Sequence, residues 1–386
     1  MKRYLREKYD IAIVIPNFLH FPTGGDREVS SLCKRLIKDG FQVAIVYLKD
    51  PIRRLLKFVN EQTLREYLHK RPIAHRIYYR LMGSKFGYRV VSPILRRSLS
   101  IDFKEQYKGA SVLFLKDLTG LKAEVMIAQS WEAAFFVNAC PLSQNKFYRV
   151  HHDLDEPSFS GELSNLAALS FSLPLKKIVM NDHLYQRFID EEPLRNNIGI
   201  ELDEFPCLVP PEHRGQTVLL PLRRNASKGA EYAIRASKVI HDTMPDVKMY
   251  AFGNIPKDNV PAFINFQGTI SRAELVELYN SAAVTVIPSI IEGTSLPALE
   301  AMSCGSALVT TDNIGVTNMV TNAKDAVVVP VKNHEAIAQA VVSLLLDSEK
   351  RIIMANAGIS TSRKYSYDTT YKDLVKSIGL DVKKRS

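Results

Sequence analysis

Two short apolar runs constrain this chain more than any other feature. I-A-I-V-I occupies 11–15 and V-L-L-P-L occupies 218–222. Neither alternates apolar with polar residues, and continuous runs of this kind fit a parallel strand covered on both faces. Each is followed by a loop, a stretch with one apolar helical face, and a second strand. After the first run, Phe21–Asp26 reads as a loop. Residues 27–38 read as a helix with Val29, Leu32, Cys33, Leu36 and Ile37 on one face, and Phe41–Leu48 as the next strand beyond Gly40. After the second run, 223–228 reads as a loop, Ala230–Thr243 as a helix and Val247–Phe252 as a strand ending at Gly253. The same β-α-β opening twice in one chain predicts two doubly wound α/β halves in tandem. A length of 386 residues agrees, because it exceeds what one compact core accommodates.

Further strands are expected at 111–115, 124–128, 147–150 and 177–180 in the first half, with a helix near 183–190. The second half adds strands at 284–287, 307–310 and 326–329, and helices at 271–282, 296–303, 334–346 and 349–357. Pro206, Pro210 and Pro211 mark a stiff linker over 205–211. The expected domains are therefore 1–205, carrying an insertion at 51–110, then 206–360. A tail, 361–386, is expected to return its helix at 368–378 to the first domain. A crevice between the halves is the expected binding site.

The formal net charge is +10. Residues 51–100 hold twelve Lys and Arg against Glu61 and Glu66, so this window accounts for the whole excess. Tyr67, Tyr78, Tyr79, Phe86 and Tyr88 are interleaved with the cations. Such a segment suits an anionic bilayer surface or a phosphorylated acceptor, and a solvated helical insertion accounts for it equally well. No nucleic-acid module accompanies the charge, so nucleic acid is not an expected partner. Cys33, Cys140, Cys207 and Cys304 are dispersed, which points to neither a zinc site nor a disulfide framework. The expected location is the cytoplasm, including the inner face of the membrane. No apolar run approaches a membrane span, and the basic N-terminus lacks the apolar core of a signal peptide.

The stretch S-I-I-E-G-T-S-L-P-A-L-E-A-M-S-C-G at 289–305 places two carboxylates in an otherwise buried-looking segment. Strand 284–287 leads into a loop at 288–293. Thr294 or Ser295 is placed to cap a helix with Pro297 in its first turn, and Gly305 ends that helix. The free N–H groups around Gly293, Thr294, Ser295 and Leu296, with the helix dipole, favour a phosphate. Glu292 stands just before the helix and Glu300 about one and a half turns inside it. An ionised carboxylate only accepts hydrogen bonds, so each needs donors: sugar hydroxyls, or a lysine or arginine.

The same stretch resembles the E-x7-E signature of retaining GT-B glycosyltransferases, in particular glycosyltransferase family 4. The preceding strand and Pro-Ser, the spacing, and the following Ala-Met-x-Cys-Gly all agree. The resemblance implies that Glu300 holds the nucleotide ribose and that Glu292 meets hydroxyls of the donor sugar. L-P-L-R-R-N-A-S-K-G at 220–229 resembles the family's G-R-L-x-x-x-K-G segment, which implies Arg223 and Lys228 on the pyrophosphate. Pro221 near the usual glycine and the second arginine, Arg224, depart from the pattern. Either arginine could be the contact, and spacing favours Arg223. Cations already in place stabilise a departing diphosphate without reorganisation, and can replace a divalent metal. Gly253 and the Gln267-Gly268-Thr269 turn match loops that surround the nucleotide base. Thr23-Gly24-Gly25-Asp26 resembles the family's glycine loop. His151-His152-Asp153 follows a strand end where the family often has a histidine near the reacting carbon, with His152 the first choice and His151 the alternate. H-H-D-L-D-E-P is also similar to a rhamnosyltransferase-like branch. Trp131 could stack on an acceptor sugar or serve a half-buried core. The resemblance covers 215–330 most fully, extends over 1–50 and 120–205, and leaves 51–110 uncovered.

What it implies is a GT-B fold: two Rossmann-like domains facing a crevice. The implied activity is a retaining, metal-independent glycosyltransferase with no cofactor. It would use a nucleotide-diphosphate-sugar donor and a glycan or lipid-linked acceptor, in polysaccharide or cell-surface glycan biosynthesis. The rival expectations are a non-catalytic nucleotide-sugar-binding GT-B protein, a nucleotide-sugar epimerase on the same fold, and a basic membrane-binding protein acting through 51–100.

Overall fold

A computed structural model describes residues 8–16, 24–49, 107–151, 153 and 162–381. The basic window 51–100 and His152 lie outside the described residues. The chain divides into two compact units: Met1–Met180 with Leu184–Asn196 and Tyr371–Ser386, and Asn181–His183 with Asn197–Thr370.

The first unit is built on a parallel seven-stranded sheet of order β3-β2-β1-β4-β5-β6-β7. Its elements are β1 (Lys8–Ile15), α1 (Gly24–Lys38), β2 (Val43–Leu48), β3 (Ser111–Leu115), β4 (Lys122–Ala128), α2 (Trp131–Asn138), β5 (Asn145–Val150), α3 (Glu162–Phe171), β6 (Lys176–Val179), α4 (Asp182–Arg187) and β7 (Leu194–Arg195). The β1 run serves two cores because side chains alternate across a strand. Ile11, Ile13 and Ile15 pack with Cys33, Leu36 and Ile45, while Ala12 and Val14 pack on the other face with Met126, Ala134 and Val137. Helix α1 starts at Gly24, three residues earlier than expected, so Gly24 and Gly25 form its first turn and not a preceding loop. The first N–H groups of a helix have no intrahelical partner, so glycine's weak helix propensity is least costly there.

The second unit holds a parallel six-stranded sheet of order β10-β9-β8-β11-β12-β13. Its elements are β8 (Thr217–Leu222), α5 (Ala230–Thr243), β9 (Lys248–Gly253), β10 (Ile264–Phe266), α6 (Arg272–Ser281), β11 (Val284–Ile287), α7 (Leu296–Ser303), β12 (Ala307–Thr311), α8 (Ile314–Thr317), β13 (Val327–Val329), α9 (His334–Leu346) and α10 (Ser348–Lys364). Strands β8, β11 and β12 are buried at every position, the result of helices on both faces. The last helix, α11 (Tyr367–Ser377), and the residues after it place Tyr371, Leu374, Val375, Ile378 and Leu380 in the core of the first unit. The Tyr371 hydroxyl donates to Asp39 at 2.6 Å. Among the described residues no helix is long and apolar enough to cross a membrane.

Both sheets reverse direction at their first strand, β1 beside β4 and β8 beside β11. In open α/β sheets the loops at the carboxyl ends of such strands are where ligands bind.

Candidate functional site

In the second unit two loops meet at this reversal. The loop after β8 carries Arg223, Arg224 and Lys228, and the loop after β11 carries Ser289 and Glu292. They are tied by a hydrogen bond from the Ile290 N–H to the Ser227 carbonyl, 2.7 Å. The first loop holds its shape through Asn225, whose Oδ1 accepts from the Ser227 N–H at 3.0 Å and from its hydroxyl at 3.1 Å. A short 3-10 turn follows, and Gly229 closes it at φ +65°. A Cβ at Gly229 would lie 2.0 Å from the Pro288 carbonyl oxygen, so only glycine lets the two loops approach.

That approach delivers Lys228 to Glu292, with Nζ 2.8 Å from Oε1. Ser289 Oγ donates to the same oxygen at 2.8 Å. Oε2 is buried and has no hydrogen-bond partner among the described residues. The Lys228 side chain remains 35% exposed while that of Glu292 is 4% exposed. One end of the pair is therefore open to solvent, and a buried acceptor stands unmet beside it. A buried carboxylate oxygen without a donor is costly, and a ligand hydroxyl would remove that cost.

Helix α7 spans Leu296–Ser303, with Pro297 in its first turn and Ser295 at the N-cap position. Ser295 does not cap as expected. Its side chain makes no capping bond, and its buried Oγ has no partner among the described residues. Its N–H is also occupied, donating to the Gly315 carbonyl at 3.1 Å. The expected row of free N–H groups from Gly293 to Leu296 is thus interrupted at Ser295, because α8 packs its first turn against the loop. Asn181 Nδ2 fixes the Gly293 carbonyl at 3.1 Å.

Glu300 lies inside α7 and is buried. Tyr279 donates its hydroxyl to Oε2 at 3.2 Å, and Arg272 Nη1 lies 3.4 Å from Oε1. Burial, reinforced by the charge of Glu300, pushes the Tyr279 phenol well above its ordinary range, so it stays a donor. Arg223 lies over the Phe252 ring at 5.7 Å, and Phe252 meets Tyr279 edge-on at 6.3 Å. The Arg224 N–H donates to Asn254 Oδ1 at 2.8 Å. Gly253 donates its N–H to the Gly268 carbonyl at 2.7 Å, which brings two of the glycines singled out in the sequence together, with Thr269 next in the chain. A Cβ at Gly253, φ +146°, would lie 1.7 Å from the Leu222 carbonyl oxygen.

Sequence reasoning passed over Ser289, Tyr279 and Arg272. The capping box of α6, Ser271 with Glu274, is visible as S-x-x-E and places Arg272 at the head of that helix. No local pattern points Tyr279 at Glu300. In the first unit, His151 Nε2 lies 3.0 Å from Gln129 Oε1, and Asp153 pairs with Arg187 at 2.6 Å. Trp131 is half-buried and packs against the apolar core. Ser130 before it caps α2, accepting from the Ala133 N–H at 3.2 Å.

Residues 212–361 match the family glycosyl transferases group 1. An uncharacterized glycosyltransferase of Methanocaldococcus jannaschii is 29% identical over 191 residues, 47% of this chain and 46% of that protein. A D-inositol 3-phosphate glycosyltransferase of Corynebacterium urealyticum is 36% identical over 102 residues, 26% of this chain and 24% of that protein. The chain thus spans about half the length of the first curated relative and about a quarter of the second. The crystal structure of Anabaena HepE in complex with UDP-glucose superposes over 96% of this chain and 99% of its own, with a TM-score of 0.66 at 12% identity. The chain therefore has the GT-B fold, and residues 212–361 in its second unit match glycosyl transferases group 1.

Proposed function

We propose that the protein is a retaining, metal-independent glycosyltransferase. It moves a sugar from a nucleotide-diphosphate-sugar donor to a hydroxyl of a glycan or lipid-linked saccharide, in polysaccharide or cell-surface glycan biosynthesis. The observation that carries this reading is the Lys228–Glu292 pair, a part-exposed cation on a buried carboxylate whose second oxygen has no donor among the described residues.

In this reading Lys228 and Arg223 sit on the diphosphate, with the head of α7 behind it. The negative charge that grows as the glycosidic C–O bond breaks meets cations already in position. Glu292 accepts from donor-sugar hydroxyls and Glu300 from the ribose. The acceptor oxygen bonds to the anomeric carbon on the face the phosphate leaves. The departing phosphate oxygen takes the acceptor's proton, and the nucleoside diphosphate is released. His152, outside the described residues, is assigned to the sugar near its reacting carbon. In the same reading the basic window 51–100, outside the described residues, serves an anionic membrane surface or a phosphorylated acceptor.

A melting-temperature screen with UDP-, GDP-, ADP- and dTDP-sugars tests the donor class, since a ligand that binds the folded state raises the midpoint by mass action. The UDP-glucose in the HepE complex makes UDP the first nucleotide to try. Glu300→Ala should weaken donor binding, while Glu292→Ala should mainly lower turnover. Wild-type binding and turnover in both variants would sink the assignment.

A further inference from the structure

Arg214 is buried, yet every N–H of its guanidinium has an acceptor. Nε and Nη2 donate to the Val209 carbonyl at 3.1 and 2.6 Å. Nη1 donates to the Tyr279 carbonyl at 3.1 Å and to the Ala282 carbonyl at 2.8 Å. Nη2 also reaches the Cys304 carbonyl and, at 3.8 Å, Cys207 Sγ. Tyr279 and Ala282 are at the carboxyl end of α6, and Cys304 is the C-cap of α7. The last carbonyls of a helix lack intrahelical donors and carry its negative dipole end, so one cation between two such ends satisfies both.

The segment before Arg214 is sewn to the same two helices. Asn280 Nδ2 donates to the Pro206 and Val276 carbonyls, both at 3.0 Å. Asn280 Oδ1 accepts from the Leu208 N–H at 2.6 Å and the Val209 N–H at 3.2 Å. Ser303 Oγ donates to the Phe205 carbonyl at 2.8 Å. Helix α6 presents Tyr279 and Arg272, and α7 presents Glu300. The spacing of these helices decides whether the Tyr279 hydroxyl reaches the carboxylate, and that spacing is what the guanidinium spans.

We propose that Arg214 is a positioning residue of the donor site, holding α6 and α7 at the separation that presents Glu300 to the ribose. It touches no ligand and acts through Tyr279 and Glu300. The inference rests on the reading of Glu300 as the ribose group. Lysine cannot replace it, because a point charge does not reproduce a planar fork of five donors.

The test is calorimetric titration of the full chain with UDP, GDP and ADP, each beside its 2′,3′-dideoxy analogue. The wild type should prefer the ribose form by about tenfold or more, the order of one hydrogen bond to a charged group. In Arg214→Lys and Arg214→Gln that preference should fall to within about twofold of unity, with affinity for the dideoxy form little changed. The double variant Arg214→Lys/Glu300→Ala should bind no worse than Glu300→Ala, the non-additivity expected of residues acting through one another. Should Arg214→Gln fail to fold, Arg214→Lys, which keeps the charge, carries the test. A wild-type preference retained in the Arg214 variants overturns the inference and leaves the ribose reading standing. So does an equal loss for both nucleotide forms, which would mark a merely structural role. If the wild type shows no ribose preference, or Glu300→Ala keeps it, the ribose reading falls and this inference with it.

Discussion

The two units share a strand order around their first strand, and each buries a carboxylate against a cation, but the two pairs differ at the cation. In the first unit Glu28, on α1, meets Arg149, on β5, at 2.5 Å, and the side chains are 4% and 3% exposed. Arg149 Nη2 also donates to Asn196 Oδ1 at 2.8 Å. Neither charge faces water. In the second unit Glu292 is equally buried, and both carboxylates keep an oxygen with no hydrogen-bond partner among the described residues, but Lys228 is about a third exposed. A pair closed at both ends secures a helix to its sheet. A pair open at one end is available to a ligand. A shared strand order around the first strand therefore does not make the two reversal points equivalent; the solvent access of one cation separates them.

Breaking the closed pair should have the largest effect. Glu28→Ala leaves the buried guanidinium of Arg149 without its counter-charge, at a cost of about 3–5 kcal/mol, read from urea unfolding. Burial pushes the Glu28 carboxyl above the ordinary carboxylate range, against the pull of Arg149. The folded protein then binds more protons at this group than the unfolded chain does. Its contribution is full below the ordinary carboxylate range and is lost as the pH rises through the raised value. Glu28→Gln should flatten that slope, and an unchanged slope would show that Glu28 does not titrate in this window.

Breaking the open pair should act on turnover and spare stability. Glu292→Ala should lower kcat about 10²-fold, the order lost when a substrate-positioning contact is removed. Its unfolding free energy should stay within about 1 kcal/mol of wild type, because a part-exposed pair contributes little. A variant that melts early with normal turnover would reverse the comparison.

Thiol labelling compares the units without mutation. Burial pushes Cys33, in the first unit, and Cys304, in the second, up to about 12, whereas Cys207 is exposed. The thiolate is the reactive form, so iodoacetamide at neutral pH should mark Cys207 and spare the other two until the protein unfolds. Mass spectrometry of peptides reads the result, and early labelling of Cys304 would place local opening at the end of α7.

The smallest effect belongs to Ser295. A buried hydroxyl without a partner contributes nothing that alanine lacks, so Ser295→Ala should be neutral or up to about 1 kcal/mol more stable. A clear loss of stability would mean that Oγ has a partner in solution.

Much of this protein was legible from short-range pattern. Apolar runs marked β1 and β8 because strands covered on both faces tolerate no polar interruption. Strand, loop, Pro297 and Gly305 placed α7 at 296–303, since caps and breakers act within a few residues. The two glutamates and Lys228 stood out through the resemblance of their segments to glycosyltransferase family 4 motifs. The start of α1 was not, because two glycines read as a turn when nothing local says that a helix already runs through them.

Tertiary structure alone decided the pairings. Lys228 and Glu292 are 64 residues apart, and Arg214 reaches Cys304 across 90. Such contacts depend on sheet order and on how closely loops approach, and no residue's immediate neighbours encode them. Hence Tyr279 and Arg214 gave no local signal. Ser295 looked like a cap, yet its Oγ makes no capping bond and its N–H goes to α8. The sequence by itself determined two Rossmann-like sheets and the kinds of side chain at their edges. Only the folded chain decided which charges were closed against each other and which was left facing water.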